Sequence, residues 1–589
     1  MVPNLVAREP RTKSPRRRWV GAALGLGVAV IIGVTAYDGY RAAVATADLE
    51  ARASALSDAV EARDEGSLLE AVEGLQESAQ QFDAAVHGPH WWVAARVPWL
   101  GDQVVPLQRA SQAVRAIADD AAVPLVDAGG LALLESPAVV NGRVDPDALE
   151  PYRDVLAAAA AVLDEQATVL AATELDSTLA RVRLPFERLS GEVSEVASLV
   201  DAAHATAEVL PAVLGGEGPR QYVVMIQNNA EPRTSGGIPG AVMGLTVDDG
   251  RFSVGEYVAA ASMADTSQDV AALTEDERRI FSARMARFPQ DVNFTPDFSR
   301  AAQLMAAFWK RETGVQPDGV VSVDPVALEY MLAGMTPFSI GDIQMSSETV
   351  ARVMLSEVYW QYPTNEGSDA FFAMAGRALF DTLMSGETAV IDGAARAVGE
   401  QRLLVWSAHE DEQDILRGLP LAASWRDEPD ALGVFINDGS GSKIGYYLRN
   451  DVSVSELVCG DGELSGQDVT IRLSHTYDGD VTELPKYVSG AGEYVPEGDM
   501  QVNVLVYPPT GLVLASAQED DAMASLNSES HDGRLVLSTT VTLSPGESVV
   551  LSYGLTATTA DLRRGDVVVT PGAHADTPTV RRGVSQGRC

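Results

Sequence analysis

The feature that most constrains this chain is an uncharged run near its start. Trp19 to Tyr37 reads WVGAALGLGVAVIIGVTAY. As a helix those residues reach about 28 Å, close to the roughly 30 Å of a bilayer's hydrocarbon core. A lone helix tolerates lipid because it satisfies its own backbone hydrogen bonds. Residues 1–18 carry Arg8, Arg11, Lys13, Arg16, Arg17 and Arg18 against Glu9 alone, whereas Asp38 and Arg41 cancel on the far side. The positive-inside rule then places residues 1–18 in the cytoplasm, spans the membrane with 19–37, and puts the remainder outside. The competing reading is a cleaved signal peptide. Its apolar region is usually shorter, and Thr35-Ala36-Tyr37 is a poor cleavage site.

Formal net charge is −40, and the basic N-terminal tail makes the rest of the chain more acidic still. A nucleic-acid binder needs a basic face, so that class is excluded as an expectation. The two cysteines, Cys459 and Cys589, both fall on the predicted outer side. In an oxidising compartment they most simply pair with each other.

Downstream of the anchor, three segments are expected. Residues 38–214 read as an extracytoplasmic helical bundle. Leu68, Val72, Leu75, Ala79, Phe82 and Val86 recur at helical spacing, and so do Leu107, Ala110, Val114, Ile117 and Ala121. Asp145-Pro146 predicts a helix start, with helix over 147–174 and another over 185–214. A helix from about 38 to 62 rises about 37 Å and one over 67–86 descends about 30 Å. That hairpin would return the chain to the membrane at Trp91, Trp92 and Trp99, residues suited to an interface.

Residues 215–449 alternate apolar strands with helices and predict an α/β core domain. Tyr222–Ile226 reads as a buried strand, and Asp248-Asp249-Gly250 as a hairpin turn. Helices are expected over 275–287, 297–313, 325–333, 347–357, 369–384 and 410–416. Strands are expected over 319–323, 403–407, 432–436 and 443–448. Residues 450–589 lose the helices and predict a β-sandwich with a C-terminal tail. The fold class is thus α+β and multidomain.

No hydrolase or metal signature stands out. His87 and His90 are separated by Gly88-Pro89, so they do not share a helix face. Ser440-Gly-Ser-Lys443 has S-x-x-K spacing but lies between expected strands rather than at a helix start. The most unusual segment is Gln227-Asn-Asn-Ala-Glu-Pro-Arg-Thr-Ser-Gly-Gly-Ile-Pro-Gly240. As a loop at the end of a central strand it would stand where α/β sheets gather ligands. Arg233 is its natural anion contact, Asn228 and Asn229 offer amides, and Gly236 and Gly237 keep the approach open. Glu231 either orients Arg233 or holds a divalent cation with Asp318 and Asp324. No other cofactor is indicated. The plain alternative is a tight connection whose polar groups cap one another.

NNAEPRTSGGIPG, VNFTPDF, DGVVSVDPVAL and KIGYYLR, with the preceding WWVAARVPWLGDQ, resemble the actinobacterial domain family of unknown function numbered 4012. The resemblance implies a membrane-anchored envelope protein and no established activity. Asp318 to Leu328 is more distantly similar to LytR-CpsA-Psr proteins, anchored phosphotransferases that move glycopolymers from polyprenyl-pyrophosphate carriers. The chain departs from that pattern, with no clear S-x-P-R-D and no K-I-N-x-A. The leading expectation is an envelope protein that binds or helps attach a surface glycopolymer. Its partners would be membrane lipid and a cell-wall polysaccharide, capsular polysaccharide or polyprenyl-linked glycan. A non-catalytic scaffold and a pyrophosphate-dependent transferase are the alternatives.

Overall fold

The computed structural model describes residues 48–589, apart from 50, 53, 57, 60, 61, 63, 131–138, 141, 386–388, 424, 460–463, 521, 560, 561, 588 and 589. The predicted cytoplasmic tail, the predicted membrane span and Cys589 lie outside the described residues. The molecule is a mixed α and β structure whose contacts divide into two compact units. The first comprises Met1–Glu135 with Leu149–Glu208, and the second Ser136–Ala148 with Val209–Cys589.

The first unit is a helical bundle. Described residues between 48 and 62 are helical. Four longer helices follow: α1 (Glu65–Val86), α2 (Gly101–Ile117), α3 (Arg153–Ala171) and α4 (Ala180–Val213), the last running on into the second unit. Asp64 caps α1 by accepting from the Gly66 N–H at 3.1 Å. Phe82, Val86, Ala110, Leu170, Phe186 and Val193 share the core, so the apolar spacing seen in the sequence is the packed face. The helix expected from 147 starts later, at Arg153, because Arg143–Val144 are drawn into a strand and Glu150–Tyr152 form a tighter turn. Length and composition alone would let α4 cross a membrane. Its Phe186, Val193 and Ala197 are buried in the bundle, while Leu184, Val196 and Leu199 are exposed.

The second unit is built on a seven-stranded mixed sheet. Its principal strands are β1 (Arg220–Arg233), β2 (Gly236–Asp248), β3 (Arg251–Ala259), β4 (Gly319–Val323) and β5 (Leu403–Ser407), in the order β3-β2-β1-β4-β5. Two-residue strands at Val139–Val140 and Arg143–Val144 extend the β3 edge. The Asp248-Asp249-Gly250 turn joins β2 to β3, and Asp249 and Gly250 both have positive φ, 47° and 68°.

Side chains alternate along β1. Val223 and Met225 are fully buried against α5 (Phe298–Thr313) with Phe298, Leu304, Met305 and Phe308. Val224 and Ile226 point to the other face, towards α6 (Pro325–Met331) and α7 (Asn365–Leu383), and are only half-buried. The helix expected over 275–287 breaks after Ile280, where Ser282 takes φ 69°. A π-helical turn, Val353–Glu357, interrupts the helical stretch expected over 347–357.

Two further sheets pack across one apolar core. β6 (Leu432–Asp438) joins Met500–Tyr507, Arg534–Leu543, Asn527–His531 and Val567–Val569. β7 (Leu448–Val458) joins Leu464–His475, Ser548–Ala557, Leu512–Glu519, Ala522–Met523 and Thr579–Gln586. Thr539 and Tyr553 hydrogen-bond from one sheet to the other at 3.0 Å. β6 was placed by its sequence with the central α/β segment. Its seven residues are all buried, so it fits a two-sided core and pairs with later strands instead. The strand expected over 443–448 is a 3-10 turn, Lys443–Tyr447, that leads into β7. Thr579–Gln586 runs parallel to β7 with Gln586 opposite Val458, and the Gly587 N–H donates to the Val458 carbonyl at 2.8 Å.

Behind α6, Arg402 and Asp324 form a buried ion pair at 2.8 Å. Arg402 also donates to the carbonyls of Gly572, His574 and Thr577, tying the central sheet to the late segment of the chain. Glu329 lies beside this pair. Burial raises its carboxyl to about 7, Arg402 opposes that shift, and Asp324 adds to it. Below the ordinary carboxyl value the proton is bound in folded and unfolded chains alike. As pH rises the unfolded chain releases it first, so folding loses stability up to about pH 7, and the loss is constant above that. Glu329→Gln is expected to flatten this dependence and to gain on the parent protein between pH 5 and pH 8. Urea midpoints across that range check it, and parallel curves for the two proteins would contradict it.

Candidate functional site

The polar segment after Ile226 is not a loop. β1 continues to Arg233 and β2 begins at Gly236, leaving Thr234-Ser235 as the connection. Irregular pairing at Ile226/Gln227 and Asn228/Pro232 lets the long hairpin bend. Glycine is required on the returning strand, since a Cβ on Gly237 would stand 2.2 Å from the Asn228 carbonyl carbon. Thr234 is locked at the tip, its hydroxyl donating to the carbonyls of Asn293 and Thr295 and its N–H to Asn437.

The hairpin buries a charge cluster. Arg233, 4% exposed, meets Glu231 and Asp291 at 3.4 Å each, donates to the Pro232 carbonyl, and stacks 4.8 Å from the Phe294 ring centroid. Lys443 pairs with the other Glu231 oxygen, and Arg284 with the other Asp291 oxygen at 2.7 Å. Burial works to raise the Glu231 carboxyl, but Lys443 and Arg233 outweigh it and hold it below its ordinary value. Burial likewise works against the Lys443 ammonium, and Glu231 outweighs it, so that pKa is raised. Asp438 is pushed up by burial and by the Glu231 charge, with Arg233 opposing.

These placements correct the expected site. Arg233 is buried and paired with two protein carboxylates, so it does not face open space as the expected anion contact would, although its Nε has no hydrogen-bond partner among the described residues. Asp318 precedes β4 and Asp324 follows it, which at about 3.3 Å per residue puts them roughly 20 Å apart. Asp318 accepts from the Gln221 N–H at 2.7 Å and pairs with His409 at 2.8 Å. Asp324 caps α6 and holds Arg402, while Asn229 donates to it at 3.0 Å. The expected divalent-cation set of Glu231, Asp318 and Asp324 is therefore not assembled. No cluster of three His, Cys, Asp or Glu side chains suited to a metal occurs among the described residues. Gly236 and Gly237 serve the hairpin's own packing, not a ligand approach. The S-x-x-K pair is also separated in role: Ser440 accepts from the Gln501 N–H, whereas Lys443 turns to Glu231.

Of the expected residues, Asn228 alone borders a cavity. That cavity, about 170 Å³, lies between the half-buried face of β1 and β2 and the helix α7. The sheet contributes Val224, Ile226, Met243 and Leu245, and α7 contributes Phe372, Gly376, Leu379, Phe380 and Leu383. Polar groups gather at one end. Asn228 donates to the Tyr359 hydroxyl, the Tyr359 and Tyr487 rings lie 5.4 Å apart, and Lys443 stands 5.3 Å from the Tyr487 ring centroid. Ser368 and Asp369, at the start of α7, face the same cavity. Burial raises the Asp369 carboxyl. Burial also raises the Tyr257 phenol, with Asp369, Tyr359 and Tyr487 adding to it, and its buried hydroxyl has no hydrogen-bond partner among the described residues.

From Ser368 to Leu383 the α7 wall runs about 22 Å. The cavity is thus long, apolar along most of its walls and polar at one end. The sequence carried one sign of it, a strand apolar on both faces. It carried no sign of which face would be left open. The π turn that carries Met354 and leads into the helical turn holding Tyr359 is likewise invisible to spacing rules.

Residues 217–359 match the family described as "Protein of unknown function (DUF4012)". The DUF4012 segment contains β1 to β4 with α5 and α6, and it ends at Tyr359. It therefore supplies the sheet wall and part of the polar end of the cavity. The facing helix α7, Lys443 and Tyr487 lie beyond it. Neither curated proteins nor solved structures give a match to the chain.

Arg233→Ala would leave Glu231 and Asp291 short of a partner in a buried setting and is expected to cost about 3–5 kcal/mol. Arg233→Lys is not expected to restore it, because the ammonium cannot reach both carboxylates and the ring as the planar guanidinium does. Chemical denaturation measures this directly. A variant as stable as the parent that loses envelope polymer would return Arg233 to a ligand-binding role.

Proposed function

We propose that this chain is a single-pass, membrane-anchored protein of the cell envelope that holds a polyprenyl-linked glycan outside the cytoplasm and helps attach or retain a surface glycopolymer. The cavity carries the reading. An elongated apolar space closed by polar side chains at one end suits an amphiphile with a long hydrocarbon chain, and a polar-lined pocket would not. The α7 wall, Leu245 and Ile226 would take the chain. Asn228, Tyr359, Asp369 and Tyr487 would meet the head group through hydrogen bonds. Binding is preferred to a transferase reaction because the groups a pyrophosphate transfer would draw on, Arg233, Asp318 and Asp324, are each engaged by protein partners in separate places.

The extracytoplasmic placement rests on the Trp19–Tyr37 span and its basic flank, and the DUF4012 match is consistent with the resemblance that suggested an actinobacterial envelope protein.

Gly376 provides the test. A Cβ there would meet nothing closer than the Met243 sulfur at 3.7 Å, so a side chain enters the cavity without a clash at its base. Full-length protein extracted from membranes in a lipid-sparing polymer should carry a polyprenyl lipid detectable by mass spectrometry. Gly376→Phe should lose that lipid while its melting temperature is unchanged or raised, since glycine is a poor helix residue. Recovery of ordinary phospholipid alone, or equal lipid in both proteins, would refute the proposal. The same compartment predicts a Cys459–Cys589 disulfide, and Gln586 pairs with Val458, the residue before Cys459. Protein isolated without reductant should show no titratable thiol under denaturing conditions, and two thiols per chain would overturn the pairing.

A further inference from the structure

We propose that the connection between α1 and α2 in the helical bundle is a membrane-docking surface that fits a bilayer with anionic head groups. Of the three tryptophans in this segment, Trp91 is core, 8% exposed, with its indole N–H donating to the Ala85 carbonyl at 2.8 Å. Trp92 and Trp99 are not. They are 58% and 59% exposed, and Val93, Val97 and Leu100 beside them are exposed as well. Five large apolar side chains exposed within nine residues are a concentration that soluble surfaces seldom present.

The surface is held in shape. Gly101 donates to the Val97 carbonyl at 2.8 Å, and a Cβ on Gly101 would meet the Ala95 carbonyl oxygen at 2.6 Å, so the turn closes tightly on itself. Trp99 is kept at φ 69°, a conformation that disfavours any residue with a side chain. A turn built this firmly around an exposed indole presents the ring outward instead of letting it fold back onto the bundle.

Charge points to the partner. From His87 to Gly101 the chain has no acidic residue, although it carries 83 in all, and it has Arg96. The Arg96 guanidinium stacks 3.7 Å from the Trp92 ring centroid and donates to the Trp92 carbonyl. An arginine laid along a tryptophan, both at the edge of an apolar patch, matches the head-group level of a bilayer, where aromatic rings and snorkelling cations settle.

The path of the chain places this end of the bundle nearest the expected span. Leu49 packs in the core cluster of Phe82, Ala85 and Val86, and Ser78 donates to Asp48. The chain thus enters the bundle at the end where the tryptophan turn lies. Ten residues separate Tyr37 from Asp48, a reach of about 15 Å as helix and at most about 36 Å extended.

The full-length protein in vesicles of phosphatidylglycerol and phosphatidylcholine, with part of the lipid brominated in its chains, tests the proposal through tryptophan quenching. Trp19 is expected to be quenched in any case, so the Trp19→Phe variant is the first measurement. Its emission should still be quenched by the brominated lipid, and complete loss of quenching would overturn the proposal. Adding Trp92→Phe and Trp99→Phe to that variant should remove most of the remainder, whereas adding Trp360→Phe, at an exposed position in the other unit, should not. Quenching unchanged by the Trp92 and Trp99 substitutions would also overturn it, and would leave the patch to a protein partner. All three positions are largely exposed, and unchanged melting temperatures verify that the variants fold.

Discussion

The second unit depends on one buried ionic arrangement: Arg233 between Glu231 and Asp291, with Lys443 closing the far side of Glu231. β1 and β2 are longer than the strands beside them, and their far end would be an isolated ribbon without support. The charges give that ribbon partners on the segment before α5 and on the turn before β7. Burying several charges is favourable only when each finds its complement, so the cluster forms completely or the hairpin end opens. Thr234 adds the neutral part of the same lock through Asn293, Thr295, Asn437 and Thr570. Sheet, helical layer and C-terminal sheets are joined at this point.

That lock fixes the cavity. Residues just before it on β1, Gln227 and Asn228, turn their side chains to Ser322 and Tyr359. Lys443 belongs to both places, with its charge spent on Glu231 and its stem at the polar end of the cavity. The head-group end of the proposed ligand site therefore inherits its geometry from a cluster that does not itself touch the ligand. A substitution in the cluster would alter the cavity through position, not through lost contact.

Much of the architecture was legible in the sequence because it is local. Leu68 to Val86 and Leu107 to Ala121 announced packed helices through spacing, and Asp248-Asp249-Gly250 announced a hairpin through the backbone conformations it tolerates. The errors came where distant partners decide. Gln227–Gly240 looks like a loop because amides, charges and glycines favour turns, but burial against residues 291–295 and 437–443 makes it strand. Leu432–Asp438 reads as one more strand of an α/β series, and only its pairing with Met500–Tyr507 reveals the sheet it serves. Arg233 was a reasonable anion contact by residue type. What composition could not show is that Glu231 and Asp291 converge on it first, with Lys443 holding the other Glu231 oxygen.

The late parallel strands carry a consequence for how the chain reaches this state. Val567–Val569 pairs with β6 and Thr579–Gln586 with β7, so Leu432 waits for Val567 and Asp451 for Thr579. Each C-terminal sheet is thus left with an unpaired edge through most of synthesis. Distant parallel pairing is slow, because the chain entropy of closure is lost before the contacts compensate. Bare strand edges meanwhile recruit other strands indiscriminately. Because synthesis runs from the N-terminus, the bundle and the central sheet emerge while β6 and β7 are still open. The interval before residues 567–586 arrive is when this protein is most exposed to aggregation, and it is the interval in which a holdase would matter most.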